Sequence, residues 1–241
     1  MTTFPIYRLK EIPPKVKERI MKRSELDVSK IEKRVKEIIE EVKEKGDEAI
    51  AEFLSTQVGR KVKPSEIKVK ESDISKAYKE LDEKVIRALK HLIRNVKRFH
   101  KRQMPKSWFV KIEEGVYAGQ YVVPLDSAGL YVPSGKASYP SVAAMVTIPA
   151  KVAGVPRIAV ASPPHGNEMK MDPASLVAAH LSGAQEFYIM GGAHAIAAFA
   201  YGTKLVKPVD VIAGPGGPWT HAAKRLVRDV VRLDLPAGPS E

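Results

Sequence analysis

Apolar residues recur at helical spacing through the first hundred positions of this chain and give way to strand-like runs near Gly115. From Val28, the positions Ile31, Val35, Ile38, Ile39 and Val42 fall on one face of a helix. Gly46 fits its end, and Asp47 is suited to cap a second helix carrying Ala49, Ile50, Phe53 and Leu54. Residues 61–69 alternate weakly and read as a short strand, and Ser72 is a cap candidate for a helix with Ile74, Ala77, Tyr78 and Leu81. Val85, Leu89, Leu92, Ile93, Val96 and Phe99 outline a long amphipathic helix that Pro105 closes. Residues 1–27, broken by Pro13-Pro14, read as an irregular arm with short helical pieces.

Past Gly115, strands alternate with helices. Residues 117–125 suggest one or two strands with a turn, and 128–132 a strand ending in Pro133-Ser134-Gly135. Residues 139–152 read as a buried helix, 157–161 as a strand, 173–182 as a helix and 186–190 as a strand. Gly191-Gly192 then opens a helix over 193–200. A short apolar run ends at Ile212, followed by Gly214-Pro215-Gly216-Gly217, a helix over 218–228 and a second run through Val230, Val231, Leu233 and Leu235. This alternation predicts an α/β protein with a helical amino-terminal region and an incomplete Rossmann-like parallel sheet covered by helices on both faces. Ligands of such sheets sit beyond the carboxyl ends of the strands, where the three glycine turns should converge.

Composition narrows the setting. Of 241 residues, 44% are hydrophobic and 28% charged, ordinary for a soluble globular protein. No apolar run reaches membrane-spanning length, the amino terminus lacks a secretory core, and there is no cysteine, so cytoplasm is the expected location. The abundance of Lys and Glu also fits a heat-adapted source. The net charge of +12 divides into +10 over residues 1–115 and +2 over the remainder. In the basic half acids interleave with bases, as in KIEKRVKEIIEEVKEK, which marks a solvated helix face with i,i+4 pairs. Residues 97–102 are the most concentrated basic patch; solvated surface is the first reading, and nucleic acid is not the expected partner.

Four positions carry candidate chemistry. The turn at 214–217 feeds a helix N-terminus, which suits an anionic ligand, though glycine turns also occur for geometry alone. Tyr131 ends a strand before a glycine turn and is either core or a contact to a cofactor ring. His194 starts a helix, where a lone histidine is more often hydrogen-bonded structure than catalyst. Ser240 follows Pro239 as a turn serine. The six histidines show neither HExxH nor other metal-ligand spacing, and no Ser-His-Asp order is evident.

GLYVPSGKASYPS (129–141), MGGAHAIAAFAYGT (190–203), the GPGG turn and LDLPAGPSE (233–241) occur in that order, with FHKRQMPKSW (99–108) and KEKGDEAI (43–50) upstream. Together they resemble histidinol dehydrogenases, the zinc- and NAD-dependent enzymes that complete histidine synthesis. The resemblance implies that Tyr131 contacts NAD. It also implies NAD contacts at His194 and Gly217, where the family usually has Gln and Asn, so both depart from its pattern. Ser240, within AGPSE, matches a substrate contact for L-histidinol. The family's zinc ligands and catalytic Glu-His pair lie beyond Glu241, so no catalytic or metal residue is expected here. The resemblance further implies an amino-terminal half, not competent alone, from an intertwined homodimer whose other half covers apolar faces left exposed here. It divides the chain into a helical region (1–115), an NAD-binding domain (116–235) and the start of a return segment (236–241). A dehydrogenase of another small polar alcohol and a non-enzymatic basic binding protein on this fold are the alternatives.

Overall fold

The computed structural model describes residues 5–8, 10–22, 29–134 and 137–235. The chain opens with α1 (Pro14–Met21). Proline at the first helical position sacrifices no hydrogen bond, so the Pro13-Pro14 pair starts a helix instead of breaking one. α2 (Ser29–Lys45) buries Val35, Ile38, Ile39 and Val42, the stripe its spacing predicts. α3 (Asp47–Val58) follows after Gly46. Asp47 does not cap it. Its buried carboxylate instead accepts from the Thr203 hydroxyl and, at 3.1 Å, from the Leu205 N–H, tying the start of α3 to a loop 156 residues away.

Residues 61–69 do not form a regular strand either. A single 3₁₀ turn (Pro64–Glu66) places Ile67 and Val69 against the edge strand of the sheet, where they exchange backbone hydrogen bonds with Ile189 and Phe187. Lys70, not Ser72, precedes α4 (Glu71–Glu80), and its N–H donates to Asp73. α5 (Glu83–Gln103) begins at Asp82, whose carboxylate accepts from the Lys84 N–H at 2.6 Å. Its apolar stripe buries Leu89, while Phe99 stands 62% exposed.

Strands β1 (Trp108–Glu113) and β2 (Val116–Gln120) pair as an antiparallel hairpin that spans residue 115. It starts nine residues before the predicted strands. Every residue in both strands is exposed, so no inward and outward alternation marks them in the sequence.

After β3 (Ser127–Tyr131) come α6 (Pro140–Val152), β4 (Arg157–Ser162), α7 (Pro173–Ser182), β5 (Glu186–Ile189) and α8 (Gly192–Tyr201). β6 (Val211–Ala213), α9 (Pro218–Val227) and β7 (Arg232–Leu233) complete the described chain. The predicted run at 230–235 contracts to two residues, with Val230 and Leu235 exposed. The five strands from β3 onward are parallel, in the order β5-β4-β3-β6-β7. Counted from β3 this is 3-2-1-4-5, the order of the doubly wound dinucleotide-binding sheet, with its reversal between β3 and β6.

Two helical layers enclose the sheet. α6 and α7 pack together under α4 and α5, whereas α8 and α9 pack together under α2, which carries α3 with it. The middle strands are buried along nearly their whole length, as a sheet covered on both faces requires, with the paired Arg157 and Glu186 confined to the first positions of β4 and β5. Phe199 of α8 lies over Gly129 so closely that a Cβ there would sit 2.7 Å from its ring. Truncating so buried an aromatic costs about 3–5 kcal/mol, so this contact holds α8 against the middle strand.

Candidate functional site

The connections from β3 and β6 leave toward opposite faces, which opens a crevice beyond their carboxyl ends. A cleft of about 710 Å³ occupies it, within the range of small-molecule sites. Tyr131, His194 and Gly217 all line this one cleft, with Ser134 and Pro163 from the turns after β3 and β4. Helices α2 and α3 close the outer wall with Arg34 and Phe53.

Tyr131, the last residue of β3, joins the two glycine turns. Its hydroxyl accepts a hydrogen bond from the Gly192 N–H at 3.2 Å, at the start of α8. Its carbonyl faces Gly214, after β6. The side chain is 5% exposed, and burial pushes its phenol pKa upward, partly offset by Gly192 and the Thr220 side chain. The ring therefore stays neutral at physiological pH.

Gly214 has φ +124°, and a Cβ there would lie 2.1 Å from the Tyr131 carbonyl oxygen. Only glycine can take that conformation at that distance. The residue is also clamped. Its N–H donates to Asp234 at 2.7 Å, its carbonyl accepts from Lys224 Nζ at 2.6 Å, and Lys224 pairs with Asp234 at 2.5 Å. Gly217, three residues on, is different. It is the N-cap of α9 in extended conformation, and a Cβ there would meet nothing within 4 Å. Space, not strain, surrounds it.

His194 lies in the first turn of α8 and is 4% exposed. Its imidazole stacks on Phe53 of α3, ring centroids 3.9 Å apart and planes 15° from parallel. Burial, then the nearby Arg34 charge, push its pKa down to about 4. It is neutral at pH 7, with one nitrogen able to donate and the other to accept. Arg34 itself is held by Glu37 at 3.0 Å and Glu41 at 3.2 Å. The N-cap glycines of α8 and α9 supply no side-chain cap; Tyr131 takes the Gly192 N–H, and the other backbone N–H groups of the two first turns remain for solvent or an anion.

The glycine turns are legible in the sequence; the outer wall is not. Phe53 reads as core of its own helix and Arg34 as part of a solvated charge pattern; neither carries a signal pointing at residues 140 to 160 positions away. Trp219, 43% exposed on the rim, likewise stands out only in space. Gly135, Ser240 and Glu241 lie outside the described residues. Among the described residues no group of three or more His, Asp or Glu could hold a metal ion, and no helix is long and apolar enough to cross a membrane.

A family model for histidinol dehydrogenase matches residues 21–241. The chain belongs to the histidinol dehydrogenase family. Among its relatives, the histidinol dehydrogenase of Carboxydothermus hydrogenoformans is 47% identical over 211 residues, covering 88% of this chain and 49% of the relative. A histidinol dehydrogenase homolog of Rhizobium meliloti is 41% identical, covering 100% of this chain and 53% of its own length. The crystal structure of histidinol dehydrogenase from Elizabethkingia anophelis superposes with a TM-score of 0.85 at 28% identity, covering 95% of this chain and 52% of that one. The chain thus spans about half the length of the curated relatives it matches.

Proposed function

We propose that these 241 residues form the dinucleotide platform of a histidinol dehydrogenase, which oxidises L-histidinol to L-histidine by way of the aldehyde with NAD as acceptor. One observation carries the reading: Tyr131, His194 and Gly217 line a single cleft at the point where the strand order reverses. The cleft suits a dinucleotide on physical grounds. Uncapped N-termini of α8 and α9 offer backbone donors and positive dipole ends for a pyrophosphate. Tyr131 and Trp219 supply aromatic surface, and neutral His194 supplies a donor and an acceptor without opposing a cationic ring.

When bound, NAD supplies the hydride acceptor. The chain's own residues orient it: Tyr131 ties the two turns together, and the Lys224–Asp234 pair fixes the backbone at Gly214. The described residues offer no donor set that fits zinc. The family reading gives Ser240 a substrate contact and the working enzyme a zinc ion, a homodimeric state and a cytoplasmic location. These 241 residues by themselves are expected to bind NAD without turning over histidinol, since the family's zinc ligands and catalytic Glu-His pair match no position in them.

Tryptophan fluorescence tests this directly. The chain has two tryptophans, so Trp108→Phe leaves Trp219 as the sole reporter at the cleft rim. NAD is expected to quench it saturably, and Tyr131→Phe with His194→Ala to weaken that response at least tenfold. No response at millimolar NAD would overturn the platform. Histidinol-dependent formation of reduced nicotinamide by the 241 residues would overturn the statement about turnover.

A further inference from the structure

On the other helical layer, α5 presents a surface the dinucleotide cleft does not use. Residues 84–112 contain ten Lys or Arg and no Asp or Glu. Six of them, Lys90, Arg94, Lys97, Arg98, Lys101 and Arg102, line one open trough of about 610 Å³ that includes Ile93 and Leu181 and no acidic residue. All six are exposed. At 3.6 residues per turn they fall within an arc of about 140° and along about 18 Å of helix. On α2, by contrast, Arg34, Lys43 and Lys45 each lie against a glutamate. On α5 the ion pairs stop at Glu83–Arg87, and none of the six has an acidic partner among the described residues.

Such a row has one natural complement. Six charges over about 18 Å is one per roughly 3 Å, close to the spacing of about 3.4 Å between phosphates along one nucleic-acid strand. We propose that the α5 trough is a docking face for a nucleic-acid strand, held through its phosphodiester backbone without regard to sequence. Lys and Arg alone, with no Asn, Gln or acid beside them in the trough, position a backbone more than they read bases. A small phosphate ion fits less well, because these cations are spread along a line and no hydroxyl converges with them. A bilayer fits less well too, since the apolar residues within the trough, Ile93 and Leu181, are half-buried against the packed helices and leave the cationic row nothing to insert.

The test uses the full chain and fluorescence anisotropy with labelled random-sequence RNA and DNA strands of about 20 nucleotides, titrated between about 50 and 200 mM salt. Six phosphate contacts at roughly 0.7 each give a log–log salt slope near −4, a loss of about 10²-fold in affinity across that range. The triple variant K90Q/K97Q/K101Q should flatten the slope by about 2, and Lys97→Gln alone by about 0.7. K33Q/K36Q/K79Q, which removes the same net charge from other exposed positions, should leave the slope unchanged. Glutamine keeps helix propensity, and thermal melts identify any variant that misfolds; Lys97→Gln alone then carries the test. Absence of binding at about 50 mM salt, or equal loss in the control triple, would overturn the proposal. So would trough-dependent binding to anionic phospholipid vesicles in preference to the strands, or displacement of the strands by millimolar inorganic phosphate.

Discussion

On one face of the sheet, α8 and α9 meet α2 in a wall of small buried residues; on the other, α6 and α7 lie beneath α4 and α5, whose outer surface is solvated and cationic. From 193 to 200 every residue of α8 is buried, seven of the eight being Ala, Ile or Phe packed around His194. Over α5 only Leu89 reaches that state. The first layer is governed by close approach, where a single Cβ decides what fits. The second is governed by charge and solvent, where many side chains would serve equally. A ligand cleft with forced backbone geometry can form only in the first kind of region.

The widest break in this contrast is Gly214→Ala. The added methyl meets the Tyr131 carbonyl in a backbone conformation that alanine avoids, so strain and overpacking together should cost about 3 kcal/mol or more. Val85→Ala, on the exposed edge of α5, should stay within about 0.5 kcal/mol. Urea unfolding measures both. Equal costs for the two substitutions would erase the distinction between the layers.

His194 sharpens the contrast through pH. Its folded pKa of about 4 lies below the ordinary 6.5, because burial and Arg34 disfavour the cation. Above pH 6.5 the ring is neutral folded or unfolded and contributes no slope. Between pH 6.5 and about 4 the unfolded chain takes up a proton that the folded chain refuses, so stability falls as pH falls. The loss approaches on the order of 3 kcal/mol by pH 4. In His194→Gln that segment of the stability–pH curve should flatten; an unchanged curve would mean the ring is not buried as described.

Lys224→Met addresses the clamp on the glycine turn. Removing the ammonium leaves Asp234 without its partner and the Gly214 carbonyl without a donor. Lys224 is 11% exposed and Asp234 30%, so solvent reaches one side, and a cost of about 1–2 kcal/mol is expected. NAD should bind more weakly to this variant at unchanged helix content by circular dichroism. Weakening of stability with full NAD affinity would separate the clamp from the cleft.

How much of this was legible beforehand follows the same division. The buried elements are legible: the helix expected over 173–182 coincides with α7, and the stripe of α2 buries as spaced. Periodicity reports burial, and these elements bury one face or all of themselves. The hairpin at 108–120 escapes the pattern because neither of its faces is covered. Local chemistry makes Asp47 and Ser72 cap candidates; Asp47 is instead engaged by Thr203 and Leu205, which no local window contains. In the cleft, the glycine turns and Tyr131 could be placed by strand order alone. Phe53 and Arg34 could not, since their role arises only when two helices fold over α8.

The smallest expected effect is the most discriminating for the cleft. Gly217 is the one cleft glycine at the start of α9 where a side chain would meet nothing, and its extended backbone suits any residue. Gly217→Asn should therefore be tolerated, and should stabilise the fold by a few tenths of a kcal/mol, because asparagine caps a helix slightly better than glycine. The same side chain would project into the space beside Tyr131 and His194, where an amide can meet a bound dinucleotide. A gain in NAD affinity of about three- to tenfold, worth one hydrogen bond, is expected from the Trp219 titration. Gly217→Ala supplies the volume without the amide and should give none of that gain. If alanine improves affinity as much as asparagine, the position shapes the cleft without contacting the ligand. If asparagine destabilises the chain as Gly214→Ala does, the open space at the head of α9 is filled, and the contrast between the two glycines fails with it.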